Sequence, residues 1–336
     1  MNNKASVIGS ERLPKLHRRS ESSNRDLGLL GVVVGIGVIV SIFHPGFVTV
    51  GNIRVILEET MLIGFVALGE LLVIMTREID LSVAAIYGLA ANVVGMMASQ
   101  SHLSIVLAIL LVIGMGVILG SLNGVFVAIF RVPSIVVTLA TLSIFQGVTF
   151  LYLNGQVVNS IPANYGTFAS AVIGGIFVPP TLIFIAFALL LAVILGANQW
   201  GRSIYWTGGN EDAAHTLGVN VRFIKVLVFA ISGALAGWAG LVRVSYLGYA
   251  GPSTGVSSSL ELTAIAAALI GGATLQGGRG TVVGTVIGSL FLAMVLSIVS
   301  FFHVPAILEQ LGEGILIVAV MAFDSKFRSN RQKNER

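Results

Sequence analysis

The chain has 336 residues, of which 55% are hydrophobic and only 10% are charged. Soluble domains carry about 25% charged residues, so this composition excludes a soluble protein and indicates one embedded in lipid. The absence of cysteine excludes disulfides, thiolate metal sites and cysteine nucleophiles. A sequence pI near 9.6 would suit nucleic-acid binding. The basic residues fall in loops and tails, however, as membrane orientation requires, and no nucleic-acid partner is expected.

Long apolar runs follow one another after a polar, basic start, and each is close to the roughly 20 residues that cross a bilayer. We therefore predict an all-α membrane protein with about ten transmembrane helices. Residues 1–26 form a cytoplasmic N-terminal tail rather than a signal peptide, 27–323 form the transmembrane domain, and 324–336 form a cytoplasmic C-terminal tail. The predicted spans are 27–43, 54–75, 80–98, 104–130, 134–153, 171–197, 223–245, 260–275, 281–301 and 306–323.

The distribution of basic residues predicts the orientation of these spans. With the N-terminus inside, all of the 19 lysines and arginines except Arg54 and Arg243 fall on the cytoplasmic side, as the positive-inside rule requires. Both termini are then cytoplasmic. The outer loops, about 154–170 and 246–259, are small, so the chain has no sizeable external domain with which to capture a dilute solute.

Glycines recur every four residues in three of the predicted spans, and small residues at this spacing let helix backbones approach closely. We expect close helix packing at these positions. They are Gly116, Gly120 and Gly124, then Gly280, Gly284 and Gly288, with Gly233 and Gly237 as a further pair.

The longest polar interruption near the middle of the chain is 201–220, GRSIYWTGGNEDAAHTLGVN. It predicts one short helix. Asn210 is its N-cap, Glu211 and its neighbour suit the positive end of the helix dipole, and Gly218 is a natural stop. Ala213, Ala214 and Leu217 give the helix a small apolar side. Since an isolated helix of about two turns is unstable in water, it must lie against the membrane surface, other loops or another protein. We favour another protein.

Enzymatic motifs are missing from the sequence. The five lysines, at 4, 15, 225, 326 and 333, fit no GxxxxGK[ST] motif, and neither HExxH nor a G-x-S-x-G at a span centre occurs. We predict no catalytic residues, no metal site and no cofactor.

Several polar groups lie instead at membrane depth. Glu70 lies in the second span, where placing a carboxylate in the membrane costs a few kcal/mol, so its side chain should face the bundle interior or water. It either lines a translocation pathway, as a partner for a polyol, or is a protonated or paired group that fixes helix packing. Asn92, Asn123 and Gln146 are further pathway candidates.

Three charged residues, Arg77, Glu78 and Asp80, cluster at the cytoplasmic mouth between the second and third spans. One interpretation is a salt-bridge network that takes part in gating. The alternative is a solvated turn in which Asp80 caps the third span.

Four blocks resemble the membrane subunit of bacterial ABC importers for ribose, xylose, arabinose, galactose and related solutes. They are IDLSV (79–83), VPSIVVTLATLSIFQG (132–147), GRSIYWTGGNEDAAHTLGVNVRFIKVLVFAISGALAGWAGL (201–241) and AIAAALIGGATLQGGRGTVVGTVIGSL (264–290). The resemblance implies a multi-pass permease of the bacterial inner membrane that imports a monosaccharide or related polyol. It also implies a second permease chain, two cytoplasmic ATP-binding subunits, and a periplasmic or lipid-anchored solute-binding protein. The residues that it assigns to ATPase coupling are Gly209, Asn210, Glu211, Ala213 and Gly218.

The sequence departs from this family at two places. Many sugar permeases have two glycines where this chain has Arg77 and Glu78, and the position of Glu70 is usually apolar or small. These replacements are more similar to the rhamnose and autoinducer-2 branches. The competing prediction is a secondary transporter driven by protons through Glu70.

Overall fold

The computed structural model describes residues 17–254, 259–302, 312, 314 and 315, with side chains from Arg25 onward. The regular structure in this part of the chain is helical. The helices are α1 (His17–Phe43), α2 (Val50–Met75), α3 (Val83–Ser101), α4 (Ile105–Ala128), α5 (Ser134–Leu153), α6 (Ala163–Ser170), α7 (Pro179–Ala197), α8 (Gln199–Gly209), α9 (Glu211–Thr216), α10 (Val221–Leu247), α11 (Leu260–Ile270) and α12 (Val282–Phe301), with a short 3-10 helix at Pro45–Val48.

Seven of the described helices are long and apolar enough to cross a membrane: α1, α3, α4, α5, α7, α10 and α12. The prediction of an all-helical, multi-pass membrane protein is confirmed. The helix α2 is also long, at 26 residues, but three carboxylates interrupt its apolar sequence. The predicted span 306–323 lies outside the described residues except for positions 312, 314 and 315.

Two predicted spans have the wrong boundaries. The span predicted over 260–275 is an 11-residue helix, α11, which at about 1.5 Å per residue is too short to cross a bilayer. The span predicted over 171–197 begins late, because Ile173 and Phe177 pair through their backbones. The helix α7 starts only at Pro179, whose fixed φ suits a first helical turn.

The centre of the bundle consists of α2, α3 and α10. Leu68, Leu71 and Leu72 of α2 are fully buried, and α10 packs against α2, α3 and α4. The position of a Cβ on Gly116 would overlap the Gly233 carbonyl, and on Gly120 it would overlap the Phe229 carbonyl. The predicted glycine contact between spans is therefore confirmed for α4 and α10.

The glycines near α12 act in two ways. Gly284 and Gly288 face the backbone of α11, at Gly271 and Ala267, as small residues at a helix contact do. Gly280 lies before the helix in a turn and has φ +155. Its predicted membership of the same helix face is wrong, because the chain is not yet helical there.

The peripheral helices expose their apolar side chains. Leu151 of α5 is 75% exposed and Leu189 of α7 is 64% exposed. Side chains of this kind gain nothing by burial when their solvent is itself hydrocarbon, so these helices form the lipid-facing side of the bundle.

Candidate functional site

The polar stretch 201–220 folds into two short helices rather than the one predicted. The first is α8, at whose start Asn198 accepts a hydrogen bond from the Trp200 backbone N–H at 3.2 Å. In α9 the cap is the predicted one, since Asn210 Oδ1 accepts from the Ala213 N–H at 3.0 Å. Gly218 has φ +82, a conformation that favours glycine, and it follows the end of α9 as expected.

The predicted apolar side of α9 is divided between the protein and solvent. Ala214 is 1% exposed and packs inward, whereas Leu217 is 64% exposed, and Ala213 is also exposed. Among its apolar residues, only Ala214 packs the helix against the rest of the chain. Its other apolar residues remain available to a partner.

A lysine at the start of α10 attaches α9 to the bundle. Lys225 Nζ lies 2.6 Å from Glu78 Oε1 and 2.7 Å from Glu211 Oε1. The Lys225 and Glu78 side chains are only 12% and 14% exposed, so the contact between them is largely shielded from water and stronger than a surface pair. Glu211 is 43% exposed. The bridge connects α9, α10 and the connection between α2 and α3.

Arg77 forms a second fastening next to this bridge. It has φ +68, and its Nε donates to the carbonyls of Gly208, at 2.7 Å, and Gln276, at 2.9 Å. Its Nη2 donates to the Gly209 carbonyl at 2.6 Å. One side chain therefore holds the end of α8 and the connection between α11 and α12 against the end of α2.

Asp80 is fully buried, so the interpretation of a solvated turn does not hold for it. Its Oδ1 accepts from the Ser82 backbone N–H at 3.0 Å and from Ser82 Oγ at 2.6 Å. Burial raises the pKa of Asp80 to about 6, and the Ser82 hydrogen bonds oppose that rise. Asn123 Nδ2 donates to Ser82 Oγ at 2.7 Å and links α4 to this network.

A cleft of about 1050 Å³ opens beside α9. The connection between α4 and α5, the segment after α9 and the start of α10 form its walls. Its charged lining residues are Glu78, Arg131, Glu211, Asp212, Arg222 and Lys225. A concave surface that carries both signs of charge beside exposed apolar groups suits a protein partner.

The remaining pathway candidates are not connected to one another. Glu70 is fully buried, and neither of its carboxylate oxygens has a hydrogen-bond partner among the described residues. Asn92 is also fully buried and donates to the Gly88 carbonyl of its own helix at 2.8 Å. Gln146, on α5, is only partly buried.

The sequence analysis missed a second group of polar residues, far from α9. Arg243 Nη1 donates to Glu59 Oε1 at 2.9 Å, with Glu58 and Tyr246 beside this pair. The available signal was two adjacent carboxylates in an apolar helix and one arginine in another. The positive-inside count recorded Arg243 only as an exception.

Membrane-length helices around buried polar groups, with a partly unpartnered short helix at one end, define a membrane transport subunit. Residues 52–321 match the family model described as "Branched-chain amino acid transport system / permease component", and the chain belongs to this family. It is the transmembrane permease subunit of an ABC importer, a multi-pass inner-membrane protein, and a transport subunit rather than an enzyme.

Two named permease proteins are similar in sequence to almost the whole chain. The Autoinducer 2 import system permease protein LsrC of Salmonella typhi is 31% identical over 314 residues, which cover 94% of this chain and 89% of the relative. The protein of the same name from Escherichia coli O9:H4 (strain HS) is 32% identical over 316 residues, covering 94% and 91%. No solved structure matches the chain.

Proposed function

We propose that this permease imports a small polyhydroxylated solute, either autoinducer 2 or a monosaccharide such as rhamnose, and that α9 is the surface on which a partner ATPase docks. The relatives named for autoinducer 2 import support the solute class. The observation that carries the docking assignment is the Lys225 bridge, which attaches α9 to the bundle while Leu217 stays exposed.

The contacts around α9 provide a route for mechanical coupling. A displacement of α9 reaches α10 through Lys225, and it reaches the connection between α2 and α3 through Glu78. Arg77 holds the end of α8 to α2. In this mechanism Asn210 and Glu211 define the start of the docking helix, Ala213 contacts the partner, and Gly209 and Gly218 flank the helix on its two sides.

The full assembly follows from the importer class. We infer ten membrane crossings, one of which contains the short helix α11, with both termini in the cytoplasm. The other expected components are a second permease chain that is either identical or a sister protein, two ATPase subunits, and a solute-binding protein outside. A reporter fused at Asn159 should be accessible from outside, and one at Asp212 from the cytoplasm. The opposite accessibility would contradict this topology.

Docking is tested on Leu217, because its side chain is 64% exposed. Leu217→Asp should reduce co-purification of the partner ATPase by at least about tenfold, as expected when a central apolar contact is replaced by a charge. Leu217→Met, which conserves volume, is the matched control. Glu211→Arg is less direct, because it also breaks the Lys225 bridge. Equal recovery of the ATPase with Leu217→Asp and Leu217→Met would disprove docking at α9.

The import mechanism is tested with the chain alone in liposomes. We expect no solute accumulation until ATPase and binding protein are supplied. Accumulation by the chain alone that an uncoupler abolishes, and that Glu70→Gln removes, would instead support the proton-driven mechanism. Glu70, Asn92, Asn123 and Gln146 remain proposed pathway residues.

A further inference from the structure

The end of the bundle opposite α9 contains a mixed group of acidic, basic and aromatic side chains. We call it the outer polar cluster and define it as Glu58, Glu59, Arg243, Tyr246 and Tyr249. Arg243 lies 18 positions after Lys225 on α10, which separates the two by about 27 Å along the helix axis. The cluster is thus independent of the docking region.

The charged pair of the cluster is partly exposed. Arg243 Nη1 donates to Glu59 at 2.9 Å, and these side chains are 30% and 34% exposed. Glu58 is only 7% exposed and has the Tyr246 hydroxyl next to it. Tyr246 and Tyr249 are 44% and 43% exposed.

Stability does not account for this arrangement. A partly exposed ion pair contributes about 0–1 kcal/mol, whereas burying a carboxylate costs several kcal/mol unless it is fully paired. Glu58 is buried with the Tyr246 hydroxyl and the Arg54 charge near it but in no ion pair with a described residue. Charged groups within membrane helices that remain partly exposed face a water-filled cavity rather than lipid. A costly, hydrated group of this kind marks a functional position.

The chemistry of the cluster fits a polyhydroxylated ligand. Carboxylates accept hydrogen bonds from hydroxyl groups, and a guanidinium has five donors for hydroxyl oxygens. Arg243 has one described hydrogen bond, to Glu59. Tyrosine adds an apolar ring face with a polar tip, and the combination of aromatic walls and a few placed polar groups is typical of small-molecule sites.

We propose that the outer polar cluster is a binding subsite for a neutral polyhydroxylated solute as it enters the permease from outside. The subsite rests on the proposed function, since it assigns that solute a first contact on this chain. Tyr87 of α3, 5% exposed, lies near Arg243 on the buried side of the cluster.

Because the chain has no cysteine, a single introduced cysteine can report on occupancy of the subsite. The full-length Tyr249→Cys variant is labelled with a maleimide in the presence of autoinducer 2, L-rhamnose or leucine. A solute that occupies the subsite slows labelling by a factor of 1 + [L]/Kd, about tenfold at 10 mM solute for a Kd near 1 mM. Tyr152→Cys, at a tyrosine that is 39% exposed on α5, is the matched control.

We expect autoinducer 2 or L-rhamnose to protect the cysteine at position 249 but not the one at position 152, and leucine to protect neither. Adding Glu58→Gln to the Tyr249→Cys variant should abolish protection, while adding Glu261→Gln should not. Absence of protection by both polyols, equal protection at position 152, or protection by leucine would overturn the proposal.

ATP-driven uptake by the complete importer with the unaltered chain is measured in parallel. Uptake of a polyol without protection would refute the subsite alone, and protection without uptake would refute the proposed function alone. A charge swap, Glu59→Arg with Arg243→Glu, adds a structural check. It should restore the melting temperature of the Arg243→Glu variant but not the protection, and restoration of both would show that the pair is only structural.

Discussion

The central helices α2, α3 and α10 differ from the peripheral helices α5 and α7 in what they bury and what they expose. Of the central helices, α2 and α10 bury leucines completely and also carry the charged groups Glu70, Lys225 and Arg243, whereas Leu151 and Leu189 of the periphery face outward. High hydropathy therefore marks contact with lipid. The central helices α2 and α10 are the ones in which charged residues interrupt the apolar sequence.

The strongest test of this comparison is a glycine substitution in each region. Gly120→Leu places a Cβ on the Phe229 carbonyl, so α4 can no longer approach α10. Overpacking of this kind costs about 1–3 kcal/mol and sometimes more, and we expect little monodisperse protein after size-exclusion chromatography. Gly147→Leu on α5, where nothing lies within 4 Å, should purify normally. Equal yields would contradict the division between centre and periphery.

The second test is the pH dependence that Asp80 introduces. Its pKa rises from 3.8 to about 6 on burial, so folding favours the protonated acid. The stability it provides is complete below pH 3.8 and is lost as the pH rises through 6, by about 3 kcal/mol. Asp80→Asn should therefore match the unaltered chain at pH 4 and exceed it at pH 8 in melting temperature.

Glu70 is the nearby carboxylate that must be controlled in this measurement. The same comparison is made in a Glu70→Gln background, where the difference between the chain that keeps Asp80 and the Asp80→Asn variant should persist. Melting temperatures that run parallel with pH for the two chains would show that Asp80 does not titrate as proposed.

The third test concerns the attachment of α9. Lys225→Met removes both ion pairs and leaves Glu78 largely buried without its partner, at a cost of about 2 kcal/mol. Amide hydrogen exchange over Glu211–Thr216 should accelerate, while exchange in α2 should not change. Lys225→Arg keeps the charge and should exchange nearly as the unaltered chain does. Unchanged exchange in Lys225→Met would show that the bridge does not hold α9.

The smallest expected change in stability is at Glu70. Replacing a buried, unpaired carboxylate by leucine is expected to be neutral or to stabilise the protein by about 1 kcal/mol, and membrane insertion should be unaffected. ATP-driven uptake by the complete importer should nevertheless fall. Uptake equal to that of the unaltered chain would assign Glu70 a role in packing alone.

Local features of this protein could be predicted from its sequence because they depend on near neighbours. The Asn210 cap and the Gly218 stop are set within one turn of helix, and the glycines at positions 116 and 120 were evident from their spacing. The helical membrane class followed from composition. Each of these features depends either on residues that are close together in the sequence or on a property that all residues of a span share.

The rest depended on contacts between distant residues. Nothing in the local pattern shows that Lys225 meets both Glu78 and Glu211, or that Arg77 binds carbonyls near positions 208 and 276. The helix α11 was predicted too long because the glycine-rich residues after it are apolar enough to extend the run. Burial of Asp80 was missed because a charged turn is usually solvated.

Arg25 gives the basic N-terminal region a structural task. Its Nη2 donates to the carbonyls of Leu269 and Ile270 at 3.1 and 3.0 Å, the last turn of α11, where helices leave carbonyls without internal partners. Cutting the chain at the predicted end of the tail, residue 26, would therefore remove Arg25, which caps the last turn of α11. Shortened versions of this permease that begin at residue 27 should lose the anchor of α11, and expression trials should start no later than His17.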